Sequence, residues 1–309
     1  MVSVFAGFEK QLLKGVSRSF YLSLRLLPAP MRNAASLAYL LARTSDTLAD
    51  TITVPLETRL KCLDQFRGAV AGNEEVLRWP IALLNAIPEW RERRLLESSD
   101  EILKGLGNLG DAEVRLVRQV VELIISGQIL DLQRFTGANL ANLIALKDDA
   151  ALDDYAWRVA GCVGAFWTQL GFLTMGERFS QVSQVVLLEQ GIAYGKGLQL
   201  VNILRDLASD LAIGRCYLPV ANPFDSRQLL DCHGRWLNQA DEWLKQGSHY
   251  ATSLRTCRLR AATVLPAMIA EKTLAALRGA TWEELQQRIK VPRSEVYQAV
   301  IRALFHPHR

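Results

Sequence analysis

The chain is poor in the residues that mark metal-binding and secreted proteins. Its four histidines are dispersed, and its five cysteines have none of the short spacings of a zinc site. The cysteines are Cys62, Cys162, Cys216, Cys232 and Cys257. Because their number is odd and no signal peptide is recognisable, we expect a reducing, cytoplasmic compartment.

Long apolar runs and blocks of one charge are also scarce. No run approaches the roughly 18–20 apolar residues that cross a bilayer, so any membrane contact is expected to be peripheral, on the inner membrane face. The net charge is only +4 and no Lys/Arg-rich block occurs. The sequence therefore argues against nucleic acid as a partner and favours an anionic ligand or lipid surface.

Few residues break the helical pattern. Among 309 residues there are 10 prolines and 20 glycines, and no linker rich in them stands out, so we expect one domain over residues 1–309. Strand signals are scarce, and apolar residues recur at three- and four-residue intervals. Residues 111–135 (with a glycine interruption), 252–278 and 281–306 are predicted helices. The predicted fold class is all-α with about ten helices, and the sequence sets no oligomeric state.

Two narrow polar stripes run along otherwise apolar predicted helices. In residues 34–50, the first stripe is Tyr39, Arg43, Asp46 and Asp50, at i, i+4, i+7 and i+11. In residues 193–212, the second stripe is Lys196, Gln199, Asn202, Asp206 and Asp210, at i, i+3, i+6, i+10 and i+14. Each stripe ends in two aspartates one helical turn apart, which point the same way.

The stripes allow two interpretations. They could be the solvent faces of surface helices, although such faces are usually broader and richer in Lys and Glu. If they face inward, their four carboxylates require cations, because burying a charge without a partner is very costly. Oxygen ligands without His or Cys favour Mg²⁺, which completes its shell with water and substrate phosphate. Residues predicted to meet the remaining phosphate charge are Arg43, Lys196, Arg205 and Arg215.

Four motifs in order resemble the squalene/phytoene synthase family. They are SRSFYLSLRLLP (Ser17–Pro28), MRNAASLAYLLARTSDTLAD (Met31–Asp50), YAWRVAGCVG (Tyr155–Gly164) and LQLVNILRDLASDLAIGRCYLP (Leu198–Pro219). The resemblance implies an isoprenoid-synthase fold, a single large helical domain around a central cavity. It also implies head-to-head (1′–1) condensation of two prenyl diphosphates through a cyclopropyl intermediate. The metal ligands would be Asp46, Asp50, Asp206 and Asp210, which also count as catalytic residues.

The resemblance assigns further site residues. Tyr155 matches the family's catalytic tyrosine, and Gln199 and Asn202 match polar residues that line the site. Substrate contacts are also expected from Ser19, Phe20, Tyr39 and, in the C-terminal KVPR segment, Arg293. Alternatives stay open: Ser17–Ser19 could cap a helix, KVPR could start one, and the small residues of VAGCVG could serve close helix packing as well as a tunnel wall.

The expected substrate is farnesyl diphosphate, giving presqualene diphosphate and then squalene or a related C30 product. If the product is squalene, the reductive step needs NADPH. One alternative is a phytoene synthase that uses two geranylgeranyl diphosphates, and another is a non-catalytic lipid-binding or assembly protein of the same fold. The chain ends at Arg309 without the membrane helix of eukaryotic squalene synthases, which favours a bacterial, soluble or peripherally attached enzyme. Ala49 and Ser209 stand where relatives commonly carry Glu, so metal affinity is expected to differ.

Overall fold

The computed structural model describes residues 11–16, 20–73, 76–287, 289 and 292. Over these residues the chain forms a helical segment at residues 11–16, thirteen further α-helices and one two-stranded sheet. The chain divides into two compact units, Met1–Leu132 with Gln169–Gly176, and Gln133–Thr168 with Glu177–Arg309. The all-α prediction is confirmed, whereas the single domain over residues 1–309 stays a prediction.

The first unit is built around one long helix. Residues 11–16 are helical, and they are followed by α1 (Phe20–Leu26), α2 (Ala29–Asp50), α3 (Leu56–Ala71), α4 (Ile81–Ala86), α5 (Trp90–Glu97), α6 (Ser99–Gly105), a 3₁₀ turn (Leu106–Asn108) and α7 (Asp111–Arg134). Helix α2 packs against α1, α3, α5 and α6. Prolines 28, 55 and 80 directly precede α2, α3 and α4, where a missing N–H costs nothing.

The second unit is built around α10. Its elements are β1 (Ile144–Ala145), α8 (Asp149–Ala156), a π-helical turn (Trp157–Gly161), α9 (Cys162–Met175, whose end belongs to the first unit), a 3₁₀ turn (Gly176–Arg178), α10 (Gln184–Leu211), β2 (Arg215–Cys216), α11 (Ser226–Ser253), α12 (Cys257–Arg278) and α13 (Trp282–Gln286). Helix α10 packs against α11, α12 and the π-helical turn. Strands β1 and β2 pair in parallel, with Ile144 opposite Arg215.

Small residues let α10 lie directly against the VAGCVG segment. A Cβ atom on Gly164 would overlap the carbonyl of Gly191, and one on Gly195 would overlap the carbonyl of Ala160. The two backbones therefore approach closer than any side chain allows. This confirms the packing interpretation of the motif, while a tunnel wall stays a prediction.

The predicted helix boundaries are partly right. The helix over residues 111–135 is confirmed as α7, and Gly127 does not interrupt it. The helix predicted over residues 252–278 is wrong at its start, because α11 runs to Ser253 and α12 begins at Cys257. Of the helix predicted over residues 281–306, Trp282–Gln286 is confirmed and most of the remainder lies outside the described residues.

Among the residues that the structure describes, one continuous helical stretch is long and apolar enough to cross a membrane. It is Asp149–Arg178, with a mean hydropathy of 1.2 over its most apolar window, of which 33% is buried. By length and composition it departs from the prediction that no spanning segment exists. It is weak evidence of a span, since core helices of soluble proteins pass the same test. Peripheral membrane contact stays a prediction.

Candidate active site

The first polar stripe lies on one face of α2, as its spacing predicted. Tyr39, Arg43 and Asp46 are partly exposed and Asp50 is exposed. The leucines on the remaining sides, Leu37, Leu40, Leu41 and Leu48, are at most 2% exposed. The helix is therefore fixed by apolar packing, and one line of polar groups remains accessible.

Two aromatic side chains predicted to contact substrate lie against each other at the start of the stripe. The rings of Phe20 and Tyr39 stack with centroids 5.3 Å apart. The Tyr39 hydroxyl donates a hydrogen bond of 3.3 Å to the carbonyl of Val16. Ser19, which was predicted to lie beside Phe20 in the site, is outside the described residues.

Arg43 is held by two carboxylates. Its Nη2 donates to Oε1 of Glu92 on α5, and its Nη1 lies 3.8 Å from Oδ2 of Asp46. Burial alone would lower the pKa of Arg43, but the charges of Asp46 and Glu92 outweigh it and raise that pKa above its ordinary value. A cation is therefore fixed one helical turn before the first aspartate pair.

The pKa of the Asp46 carboxyl is strongly shifted. Its side chain keeps 42% exposure, yet the protein around it removes much of its hydration. This desolvation, together with the charge of Asp50, raises the pKa of Asp46 to about 7. Nε2 of Gln128 on α7 donates a 2.5 Å hydrogen bond to Asp46 Oδ1, which opposes the rise.

The first aspartate pair fits a hard divalent cation. A positive ion between the two carboxylates would offset the repulsion that raises the pKa of Asp46. Oε1 of Gln128, beside Asp46, is buried and has no hydrogen-bond partner among the described residues. Among the residues that the structure describes, no group of three or more His, Cys, Asp and Glu side chains could hold a metal ion by itself. Pairs of carboxylates completed by water and phosphate are the usual Mg²⁺ arrangement.

The second stripe lies on α10 in the other unit. Gln199, Asp206 and Asp210 are partly exposed, and Asn202 is exposed. Arg205 pairs with its neighbour Asp206 through two hydrogen bonds, of 3.1 Å from Nε and 2.5 Å from Nη2. On α10 an arginine thus lies beside an aspartate of the second stripe, as Arg43 lies beside Asp46 in the first.

Lys196 is engaged on two sides. Its Nζ forms an ion pair with Asp153 on α8 and lies 4.3 Å from the ring centroid of Trp243 on α11. The side chain is 14% exposed. These contacts hold the ammonium in place, and a phosphate contact at Lys196 stays a prediction.

Tyr155 belongs to a cluster of aromatic side chains in the second unit. Its ring stacks on that of Tyr217 at 5.0 Å, and Phe135 meets Tyr217 edge-on at 5.1 Å. The guanidinium of Arg215 lies 5.7 Å from the Phe135 centroid. The β1–β2 pairing sets the position of Arg215 and hence of Tyr217. Gly214 has φ +89° just before β2, and a Cβ there would overlap Asn139, so only glycine fits.

Sequence reasoning missed the partners of the predicted residues. Glu92, Gln128, Asp153, Trp243 and Tyr217 contact Arg43, Asp46, Lys196 and Tyr155. A signal existed for Gln128, because an amide interrupts an apolar helix face. Arg293, predicted to lie near a diphosphate, is outside the described residues.

The two departures from the family pattern differ in surroundings. Ala49 is 8% exposed, and its carbonyl accepts a 2.8 Å hydrogen bond from Nη1 of the buried Arg59. Ser209 is exposed, with its hydroxyl bonded to the carbonyl of Asp206. Position 49 therefore lies off the polar stripe, and neither residue supplies a carboxylate to replace the usual Glu.

Known proteins resemble this chain in sequence and fold. Two curated relatives are named presqualene diphosphate synthase. The one from Rhodopseudomonas palustris is 32% identical over 71% of this chain and 64% of its own length. The one from Zymomonas mobilis is 28% identical over 91% of this chain and 84% of its own length. The chain thus spans less than two thirds of the Rhodopseudomonas protein. A solved structure of TcSQS with the ligand E5700 superposes with a TM-score of 0.79, at 22% identity, over 97% of this chain and 86% of that chain.

The structural likeness confirms the predicted isoprenoid-synthase fold. The family model described as squalene/phytoene synthase matches residues 13–295, which include all four motifs. The family model and the relatives indicate a prenyl-transferring enzyme, the class that the motifs predicted. The chain therefore belongs to the squalene/phytoene synthase family.

Proposed function

We propose that this chain is a prenyltransferase that condenses two farnesyl diphosphates head to head into presqualene diphosphate, releasing one pyrophosphate. The observation that carries the proposal is the environment of Asp46. Its carboxylate lies 3.8 Å from Nη1 of Arg43 and accepts a hydrogen bond from Gln128, and burial together with the neighbouring Asp50 raises its pKa. Two acids one helical turn apart beside a fixed arginine suit a cation and a polyphosphate. Both reported relatives bear the name presqualene diphosphate synthase.

The charged residues would bind and orient the diphosphates. Asp46 and Asp50 in one unit, and Asp206 and Asp210 in the other, are the proposed ligands of Mg²⁺. When bound, Mg²⁺ would neutralise phosphate charge and make diphosphate a better leaving group. Arg43, Arg205 and Arg215 are proposed to hold the anion, since guanidinium matches phosphate oxygens in two-point contacts.

The aromatic group of the second unit suits the carbon chemistry. Departure of one diphosphate takes the C–O bonding pair and leaves an allylic cation, which the alkene of the second substrate attacks. Ring closure to the cyclopropane then releases a proton. The face of Tyr155 would stabilise the cation, and its hydroxyl would pass the proton towards the departed diphosphate. Stacking on the ring of Tyr217 holds the orientation of the Tyr155 ring.

The proposed product needs no reductant. Forming presqualene diphosphate moves a proton and a pyrophosphate but no hydride, so NADPH is not required, whereas squalene would need it. We also propose cytoplasmic placement with at most peripheral membrane contact.

The test is a product assay on the full chain. Purified protein is incubated with farnesyl diphosphate and Mg²⁺, with and without NADPH, and pyrophosphate and lipid products are measured. We expect a C30 cyclopropyl diphosphate that accumulates equally in both conditions. If squalene forms when NADPH is present, the product of the enzyme is squalene and not presqualene diphosphate. If geranylgeranyl diphosphate is turned over faster than farnesyl diphosphate, the chain is a phytoene synthase.

Matched variants separate the site from the scaffold. Asp46→Asn and Asp210→Asn should each lower kcat/KM by at least about 100-fold, as loss of an electrostatic group at the reacting centre commonly does. Asp64→Asn is the matched control in the first unit, because Asp64 also pairs with an arginine three residues away but is 66% exposed. The exposed Asp231 is the control in the second unit. Absence of pyrophosphate release from the unmodified protein would favour a non-catalytic lipid-binding role.

A further inference from the structure

Gln128 is a buried amide on a largely apolar helix face that also carries the buried Asp131. It lies on α7 with the buried Val121, Ile124, Ile125 and Leu132, and it is itself 8% exposed. Burying an amide without hydrogen bonds costs free energy, so a buried amide at this position is expected to form a hydrogen bond.

Gln128 forms this hydrogen bond with the first aspartate pair. Nε2 of Gln128 donates to Oδ1 of Asp46 at 2.5 Å, while Oδ2 of the same carboxylate lies 3.8 Å from Nη1 of Arg43. Each oxygen of Asp46 therefore faces a different donor, on a different element. Only the contact with Gln128 has hydrogen-bond length, and it holds the plane of the carboxylate, while Arg43 attracts the other oxygen as an ion-pair partner.

The rest of the amide is unsatisfied. Oε1 of Gln128 is buried and has no partner among the described residues. When Asp46 is ionised, turning the amide over would not satisfy it, because its oxygen would then face the Asp46 carboxylate. A buried acceptor beside an acid suits a donor from outside the protein, such as water on a bound cation.

We infer that Gln128 is a positioning residue that orients the Asp46 carboxylate for a divalent cation. The inference rests on the proposed function only in taking Asp46 and Asp50 as metal ligands. Loss of the amide would leave Asp50 and Arg43 in place but let Asp46 rotate. Partners that orient a ligating carboxylate typically contribute about 10-fold or more to metal affinity.

The experiment measures metal binding without turnover. Full-length protein is titrated with Mn²⁺, followed by electron paramagnetic resonance, in the presence of farnesyl S-thiolodiphosphate, which does not ionise readily. Gln128→Met keeps the length of the side chain but has no donor. We expect its half-saturating Mn²⁺ concentration to rise about 10-fold over the unmodified protein. The matched control is Gln119→Met, at an exposed position on the same helix, which should bind as the unmodified protein does.

A melting curve without metal checks that the variant folds. If Gln128→Met does not fold, Gln128→Asn takes its place, because it keeps the amide but is too short to reach Asp46. Equal Mn²⁺ affinity in the variant and the unmodified protein overturns the inference, as does the absence of any Mn²⁺ binding.

The steady-state assay separates this result from the proposed function. Mn²⁺ binding that depends on Gln128, without pyrophosphate release by the unmodified protein, would leave the inference standing and remove the proposed reaction. Pyrophosphate release with no dependence of Mn²⁺ affinity on Gln128 would do the reverse.

Discussion

Arg43 and Asp46 lie on one turn of α2, and their partners come from far along the chain. Glu92 is 49 residues from Arg43, and Gln128 is 82 residues from Asp46. Helical spacing relates residues three and four apart, so it places the stripe but says nothing about what packs onto it. This is why the stripe was predictable and its partners were not.

Tyr155 allows the ring and the hydroxyl to be tested apart. Tyr155→Phe keeps the ring that stacks on Tyr217 and removes the proposed proton relay. We expect kcat to fall at least about 100-fold with KM nearly unchanged, in the range that loss of a general acid–base group gives. The measurement is steady-state pyrophosphate release.

Tyr217→Phe is the control for this prediction, because it removes a hydroxyl from the other ring of the same stack. It should retain most of the activity. A Tyr155→Phe variant with unchanged kcat would show that the ring alone is sufficient.

At the scale of elements, glycine decides how α10 packs. Gly164, at the start of α9, leaves no room for a Cβ atom against the backbone of Gly191. The motif that carries these small residues was visible in the sequence, but packing and a tunnel wall could not be separated there. The π-helical turn Trp157–Gly161 and the β1–β2 pair were not predicted, since neither has a periodic pattern.

Gly164→Ala should therefore lower the free energy of unfolding by about 3 kcal/mol, the upper part of the range for overpacking, because the overlap is with backbone and not with a flexible side chain. Urea denaturation followed by circular dichroism measures this value.

The control substitution lies on α11. A Cβ on Gly234 meets nothing within 4 Å, so Gly234→Ala should stabilise the protein by up to about 1 kcal/mol through helix propensity. If the two variants are equally stable, the close approach of the α9 and α10 backbones is wrong.

At the scale of the whole molecule, ligand binding should be visible as stability. A ligand at about 100 times its Kd adds about 2.7 kcal/mol to the folded state. For a chain of this size that corresponds to a rise in Tm of roughly 5 °C. We expect this rise when Mg²⁺ and farnesyl S-thiolodiphosphate are added together, measured by differential scanning calorimetry.

Removing the metal with EDTA should abolish the rise, and so should Asp46→Asn, while Asp64→Asn should keep it. The same rise in the presence of EDTA would show that the diphosphate binds without metal, and would contradict the proposed role of the aspartates.

The sequence by itself determined the helical class, the two stripes with their aspartate pairs, and the family. These follow from local periodicity and from motifs whose residues are close along the chain. Only the tertiary structure decided that Glu92 holds Arg43, that Gln128 holds Asp46, and that Tyr155 stacks on Tyr217. Such contacts depend on which helix faces pack together, and packing is set by the whole chain and not by any one segment.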